Sequence, residues 1–141
     1  PFIHLTFALN LCFLNSSLNL LILITMKKVF YLKTCGTNKK IMTPLDLSDW
    51  ELREIKSNPV TEDELEEMYE KTKSYEALFS KKSTQIKERG IDVSSLKEQD
   101  FKKLILDHYS FLKRPVFITD NEVFAGSDKK NLENLNAFFD K

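Results

Sequence analysis

The chain has 141 residues, only 3 glycines and 4 prolines, and an aromatic content of 11%. That excludes a disordered or fibrous chain and leaves enough length to bury the core of one domain. Its 21 Lys and Arg balance 21 Asp and Glu, which argues against the basic excess of a dedicated nucleic-acid binder, so no direct nucleic-acid partner is expected.

The charge is unevenly placed. The opening stretch "PFIHLTFALNLCFLNSSLNLLILIT" holds no Lys, Arg, Asp or Glu, and every such residue follows it. Three readings compete for residues 1–25. A membrane anchor needs about 20 apolar residues, and Asn10, Asn15, Ser16, Ser17 and Asn19 interrupt the run. A cleaved signal peptide needs a basic start and a small-residue cleavage site, neither of which is present. The third reading, favoured here, is an apolar leader translated from upstream of a true start at Met26. The domain is then 26–141, with no membrane partner unless the leader is real.

Residues 28–33, rich in Val, Phe, Tyr and Leu, read as a strand. A helix is expected from Thr37, as N-cap, to Leu45, in conflict with Pro44, which would cost it a hydrogen bond. "WELREI" at 50–55 reads as a second strand. Thr61-Glu62-Asp63-Glu64 is a capping box that opens a helix carrying Leu65, Met68 and Tyr69. Short helices are expected over 75–81, capped by Ser74, and over 83–89, ended by Gly90. Ser95 and Glu98 suggest another capping box, behind which Phe101, Leu104, Ile105, His108 and Leu112 line one face of a longer helix. "RPVFITDNEVFAG" reads as a hairpin, Val116–Thr119 against Glu122–Ala125, turning at Asp120-Asn121, which tolerate positive φ. Ser127 is the expected cap of a last helix carrying Leu132, Leu135, Phe138 and Phe139.

This order implies an α/β fold: a four-stranded mixed sheet of the thioredoxin-like layout (βαβ…ββα) with an all-helical insertion between its halves. Of the two cysteines, Cys12 lies in the leader, so the domain keeps Cys35 alone. That precludes an internal disulfide framework and fits a reducing cytoplasm. There is no Cys/His cluster for zinc, no P-loop and no GxGxxG, so neither a metal nor a bound cofactor is expected.

Cys35 falls at the turn from first strand to first helix. Backbone N–H groups there stabilise anions and favour thiolate over thiol. Lys39 and Lys40 add positive charge, against the dipole of a helix start but in favour of the sulfur. The loop with Gly36 and Thr37 also suits an oxyanion or carboxylate. The plainer alternatives are a small buried hydrophobe at Cys35 and a solvated face at the lysines. Arg114-Pro115 opens the third strand. A proline there suits a cis peptide bond, and Arg114 offers a forked cation, or else a surface residue ending a helix.

"CGT" followed by a basic residue, "SNPVTEDEL", "YEALFSKK" and "FLKRPVFITDNEVFAG" together resemble the glutaredoxin-linked arsenate reductase family, which includes Spx-type transcription regulators. The resemblance spans 26–141. It implies a nucleophile at Cys35, with Arg114 before a cis-proline, Pro115, facing it. In the reductases the thiolate attacks arsenate, glutathione resolves the adduct and glutaredoxin regenerates the enzyme. The chain departs from the pattern at three places: Ser80, with Lys81 beside it, stands where the family has an oxyanion-binding arginine; a second arginine is replaced near Gly126; and Lys39 is not Arg. Asn38 occupies the second cysteine position of two-cysteine Spx-type proteins. Two expectations follow. One is a single-cysteine thiol oxidoreductase, Cys35 its nucleophile and Gly36, Thr37, Lys39, Lys81, Arg114 and Pro115 its anion site. Its substrate is an oxyanion or a thiol/disulfide, glutathione or another small thiol is co-substrate, and glutaredoxin or another redox protein is partner to a monomer. The other is a non-catalytic Spx-like interaction protein on the same fold.

Overall fold

The computed structural model describes residues 25–141. The leader expectation, apart from Thr25, lies outside the described residues. Four strands form one sheet: β1 (Lys27–Tyr31), β2 (Glu51–Glu54), β3 (Val116–Thr119) and β4 (Val123–Ala125), in the order β2-β1-β3-β4. β1 runs parallel to β2 and antiparallel to β3, and β3 antiparallel to β4. This is the thioredoxin-like layout. Its helices are α1 (Gly36–Met42), α2 (Glu62–Thr72), α3 (Thr84–Glu88), α4 (Glu98–Asp107) and α5 (Lys129–Phe139), with single 3-10 turns at Glu76–Leu78, Val93–Ser95 and Tyr109–Phe111.

Period-two alternation sorts the strands onto two cores. Phe30, Val116 and Ile118 face the helical block, where they pack with Leu65, Met68, Phe79, Phe101, Ile105 and Phe111. Their neighbours Val29, Phe117 and Phe124 face the other way, onto Trp50, Leu135 and the partly buried Ile41, Met42, Phe138 and Phe139. The sheet is therefore covered on both faces: α1 and α5 on one side, the insertion on the other.

Several expectations are corrected. α1 begins at Gly36 with Cys35, not Thr37, as N-cap, and stops at Met42, so Pro44 lies beyond it and removes no helical bond. The 75–81 helix is one 3-10 turn, although Ser74 Oγ does accept the Ala77 N–H at 3.1 Å. The Ser95–Glu98 box does not form. Instead the Lys97 N–H donates to Asp100 Oδ2 at 2.9 Å, and Glu98 turns away to accept the Tyr75 N–H at 2.6 Å. α4 ends at Asp107, and His108 caps the next turn by accepting the Ser110 N–H at Nδ1. The hairpin turns without positive φ at Asp120-Asn121: Thr119 Oγ1 accepts from the N–H groups of Asn121 and Glu122. Asp128, not Ser127, caps α5, because its carboxylate reaches the Asn131 N–H at 3.1 Å. The Thr61–Glu64 capping box is present in full.

Candidate functional site

Three chain segments converge beyond the C-terminal end of β1. The first is the loop from Leu32 to Cys35, closed by a bond from the Cys35 N–H to the Leu32 carbonyl at 3.0 Å. Glu54, at the end of β2, holds the same loop by accepting the Lys33 N–H. The hydroxyl and N–H of Ser57 hold its carboxyl far below the usual range, at about 2.

The second segment comes from the insertion. The Ser80 N–H donates to the Phe111 carbonyl at 2.7 Å and the Lys113 N–H to the Leu78 carbonyl at 2.8 Å, with Phe79 bridging Leu112 antiparallel. This pairing sets Ser80, Lys81 and Lys82 beside Lys113 and Arg114. The third is the end of the hairpin. Val116 pairs with Ala125, so the next residue, Gly126, falls opposite Pro115 and donates its N–H to the Pro115 carbonyl at 2.9 Å. The Arg114-Pro115 peptide bond is cis.

Between the segments lies a cleft of about 740 Å³ lined by Cys35, Thr37, Asn38, Ser80, Lys81, Lys82, Lys113, Arg114, Gly126 and Asp128, among others. Of the expected site residues it brings together Cys35, Thr37, Lys81 and Arg114. Gly36, Lys39 and Pro115 do not line it. Because α1 has only seven residues, Lys39 and Lys40 stand in its last turn, where a cation suits the dipole. The conflict with the helix start therefore disappears, and so does the reason to draw Lys39 toward the sulfur. Ser80 and Gly126, where the resemblance places missing arginines, both face the cleft.

Lys81 pairs with Glu76 at 2.9 Å on the exposed rim. Among the described residues no carboxylate lies within 4.0 Å of the charged ends of Lys82, Lys113 or Arg114. Arg114 and Lys113 are half-buried, so their charges are less screened than those of open surface cations.

Cys35 is half-buried and carries a free thiol. Its sulfur takes no bond from the N–H groups of the α1 start. It accepts instead from the Asn38 side-chain amide, Nδ2 to Sγ 3.3 Å. The sequence presents Asn38 only as the absence of a second cysteine. The signal that could find it is a short amide three residues past the thiol, on the same helical face.

Among the described residues no group of His, Cys, Asp and Glu could hold a metal ion, and no helix is long and apolar enough to cross a membrane.

Residues 30–135 match the model of the ArsC family. Over 81 residues the chain is 30% identical to the global transcriptional regulator Spx 1 of Bacillus cereus, a match covering 57% of this chain and 62% of that protein. The chain thus spans about three-fifths of the length of the curated relatives it matches. Among solved structures it is similar to a YffB protein (TM-score 0.64, 19% identity, 81% of this chain and 99% of that one). It is also similar to an arsenate reductase from Vibrio cholerae (0.60, 15%, 79% and 97%). A third is an arsenate reductase (ArsC) related protein from Brucella melitensis (0.57, 21%, 77% and 92%). At these identities the structural likeness shows the fold alone.

Proposed function

We propose, for a chain that belongs to the ArsC family, that it is a single-cysteine thiol oxidoreductase acting on an anionic disulfide of small-peptide size. The observation that carries the reading is the Cys35 thiol opening onto a cleft of about 740 Å³ whose inner cations lack carboxylate partners among the described residues. A cleft of that volume falls in the range that holds a drug-sized molecule, well beyond the needs of one tetrahedral oxyanion. The positions of Ser80 and Gly126 also leave fewer planar forks for such an ion, and lysine is a point charge that does not replace them.

In this reading the Cys35 thiolate attacks one sulfur of the substrate disulfide. The S–S bond breaks, a Cys35 mixed disulfide forms, and the other half leaves as a thiolate that takes up a proton. A small thiol such as glutathione then attacks the mixed disulfide and releases Cys35 as thiolate, so electrons pass from the small thiol to the substrate. Arg114 and Lys113 hold the carboxylates of the bound half, with Lys81 and Thr37 at the rim. Glutaredoxin, or another cytoplasmic redox protein, is the partner that would accept the resulting disulfide.

The test is an assay of the chain with a glutathione mixed disulfide and with arsenate, each with and without glutaredoxin. Turnover of the mixed disulfide well above that of arsenate is expected. A Cys35 that reacts no faster than a free cysteine overturns the reading.

One observation favours a second reading, a non-catalytic interaction protein: the match to a transcriptional regulator at 30% identity. It expects an inert Cys35 and a stable complex with another protein, unaffected by Cys35→Ser.

A further inference from the structure

We infer that Asn38 is a positioning residue for the Cys35 thiol, an amide anchored at its oxygen so that its N–H must face the sulfur. The inference deepens the proposed function and rests on Cys35 being the reacting group. Asn38 is 1% exposed. A buried amide destabilises the fold at each end left without a partner. Its two ends find different partners. Oδ1 accepts the Leu32 N–H at 2.8 Å, and Nδ2 donates to Cys35 Sγ at 3.3 Å.

Leu32 decides which end goes where. It follows β1 directly, and its N–H can only donate. Turning the amide over would set NH₂ against that N–H, donor facing donor, and would aim a carbonyl oxygen at the sulfur. The strand end therefore dictates that Cys35 meets an N–H.

A donor aimed at sulfur matters most when the sulfur is negative. Cys35 is negative as attacking thiolate and again as the group displaced from its mixed disulfide. One amide thus serves both halves of the cycle. It also holds Sγ from outside the cysteine's own rotamer, because it is buried in α1 while its anchor lies at the end of β1.

Two variants and one measurement on the unaltered chain test this. Asn38→Asp keeps an acceptor for the Leu32 N–H but sets a carboxylate oxygen beside the sulfur. Asn38→Ala removes both bonds. Iodoacetamide alkylation of Cys35 in the full chain is followed from about pH 5 to about pH 10. Both variants are expected to slow alkylation near neutral pH by about ten-fold or more, with the profile displaced upward in pH. In the unaltered chain the Asn38 side-chain amide resonances should shift when Cys35 is titrated or alkylated, a readout that does not depend on how either variant folds. Asn38→Asp reacting at the unaltered rate, or amide resonances that stay in place, overturns the inference. If Cys35 of the unaltered chain is no faster than free cysteine, the reading of Cys35 itself fails. If it is fast in all three chains, only the role of Asn38 falls.

Discussion

Arg53 and Glu64 meet fork to fork, Nε to Oε2 at 2.7 Å and Nη2 to Oε1 at 2.6 Å. Both side chains are close to nine-tenths buried. Arg53 also donates to the carbonyls of Asn58 and Pro59 and lies over the Phe30 ring. Glu64 takes the Thr61 N–H that completes the capping box. One ion pair therefore ties β2, the loop after it and the start of α2. Burial alone would raise the Glu64 carboxyl, but the Arg53 bonds and the Thr61 N–H outweigh it and hold it below its ordinary value.

That sign fixes the pH dependence. A depressed carboxyl stabilises the fold at pH above its unfolded value of about 4.3, and the contribution is lost as pH falls through the lower folded value. The melting temperature should drop as pH falls below about 4, and Glu64→Gln should flatten that drop. Arg53→Met, which leaves Glu64 buried without its partner, should cost about 3–5 kcal/mol in chemical denaturation. Equal acid slopes for Glu64→Gln and the unaltered chain would remove the pair from the account.

Cys35→Ser is expected to abolish disulfide turnover and to shift the melting midpoint little. The thiol is half-buried, and among the described residues its one side-chain bond is to Asn38, to which a hydroxyl can also offer an acceptor. Persistent turnover in this variant would place the chemistry elsewhere.

The elements with periodic or reciprocal signals are legible in the sequence. The Thr61–Glu64 box, the first strand around Val29-Phe30 and the hairpin strand Val116–Thr119 follow from local patterns that tertiary packing reinforces. Some misses are shifts of one or two residues between neighbouring local candidates, as where Asp128 rather than Ser127 caps α5; others come from long-range partners that no local pattern encodes. Glu98 reads as half of a box with Ser95, but 23 residues back it finds the Tyr75 N–H. A helix extended to Leu45 draws Lys39 toward the sulfur, and a stop at Met42 reverses its relation to the dipole. Lys82 and Lys113 reach the cleft because Phe79 bridges Leu112, a pairing across the insertion that the sequence does not announce. Asn38 is silent in the sequence because its significance lies in what the Leu32 N–H requires.

Arg114→Ala should weaken use of an anionic disulfide while leaving a neutral one nearly unaffected. Removing a hydrogen bond to a charged group costs about 1.5–3 kcal/mol, or roughly ten- to more than a hundred-fold in kcat/KM. Arg114→Lys should recover part of the loss, since the charge stays and the fork goes. Equal losses on charged and neutral substrates would mean that Arg114 shapes the cleft rather than binding the anion.

Two glycines beside the cleft should respond to alanine in opposite directions. Gly126 holds φ +95, and its two backbone groups are fixed, the N–H on the Pro115 carbonyl at 2.9 Å and the carbonyl on Asn131 Nδ2 at 2.8 Å. Relaxing φ would break one of them, so Gly126→Ala should cost about 1–3 kcal/mol of backbone strain. The new Cβ would stand 3.4 Å from Lys113 Cδ, the flexible part of a side chain, so crowding adds little. Gly36 opens α1 without positive φ, and a methyl group added there would meet nothing within 4 Å. Alanine at that position lowers the entropy of the unfolded chain and should stabilise by about 0.4–1 kcal/mol. Denaturant midpoints of the two variants decide the matter. If Gly36→Ala is the costlier change, the glycine after the cysteine is needed for the loop in a way its open surroundings do not reveal.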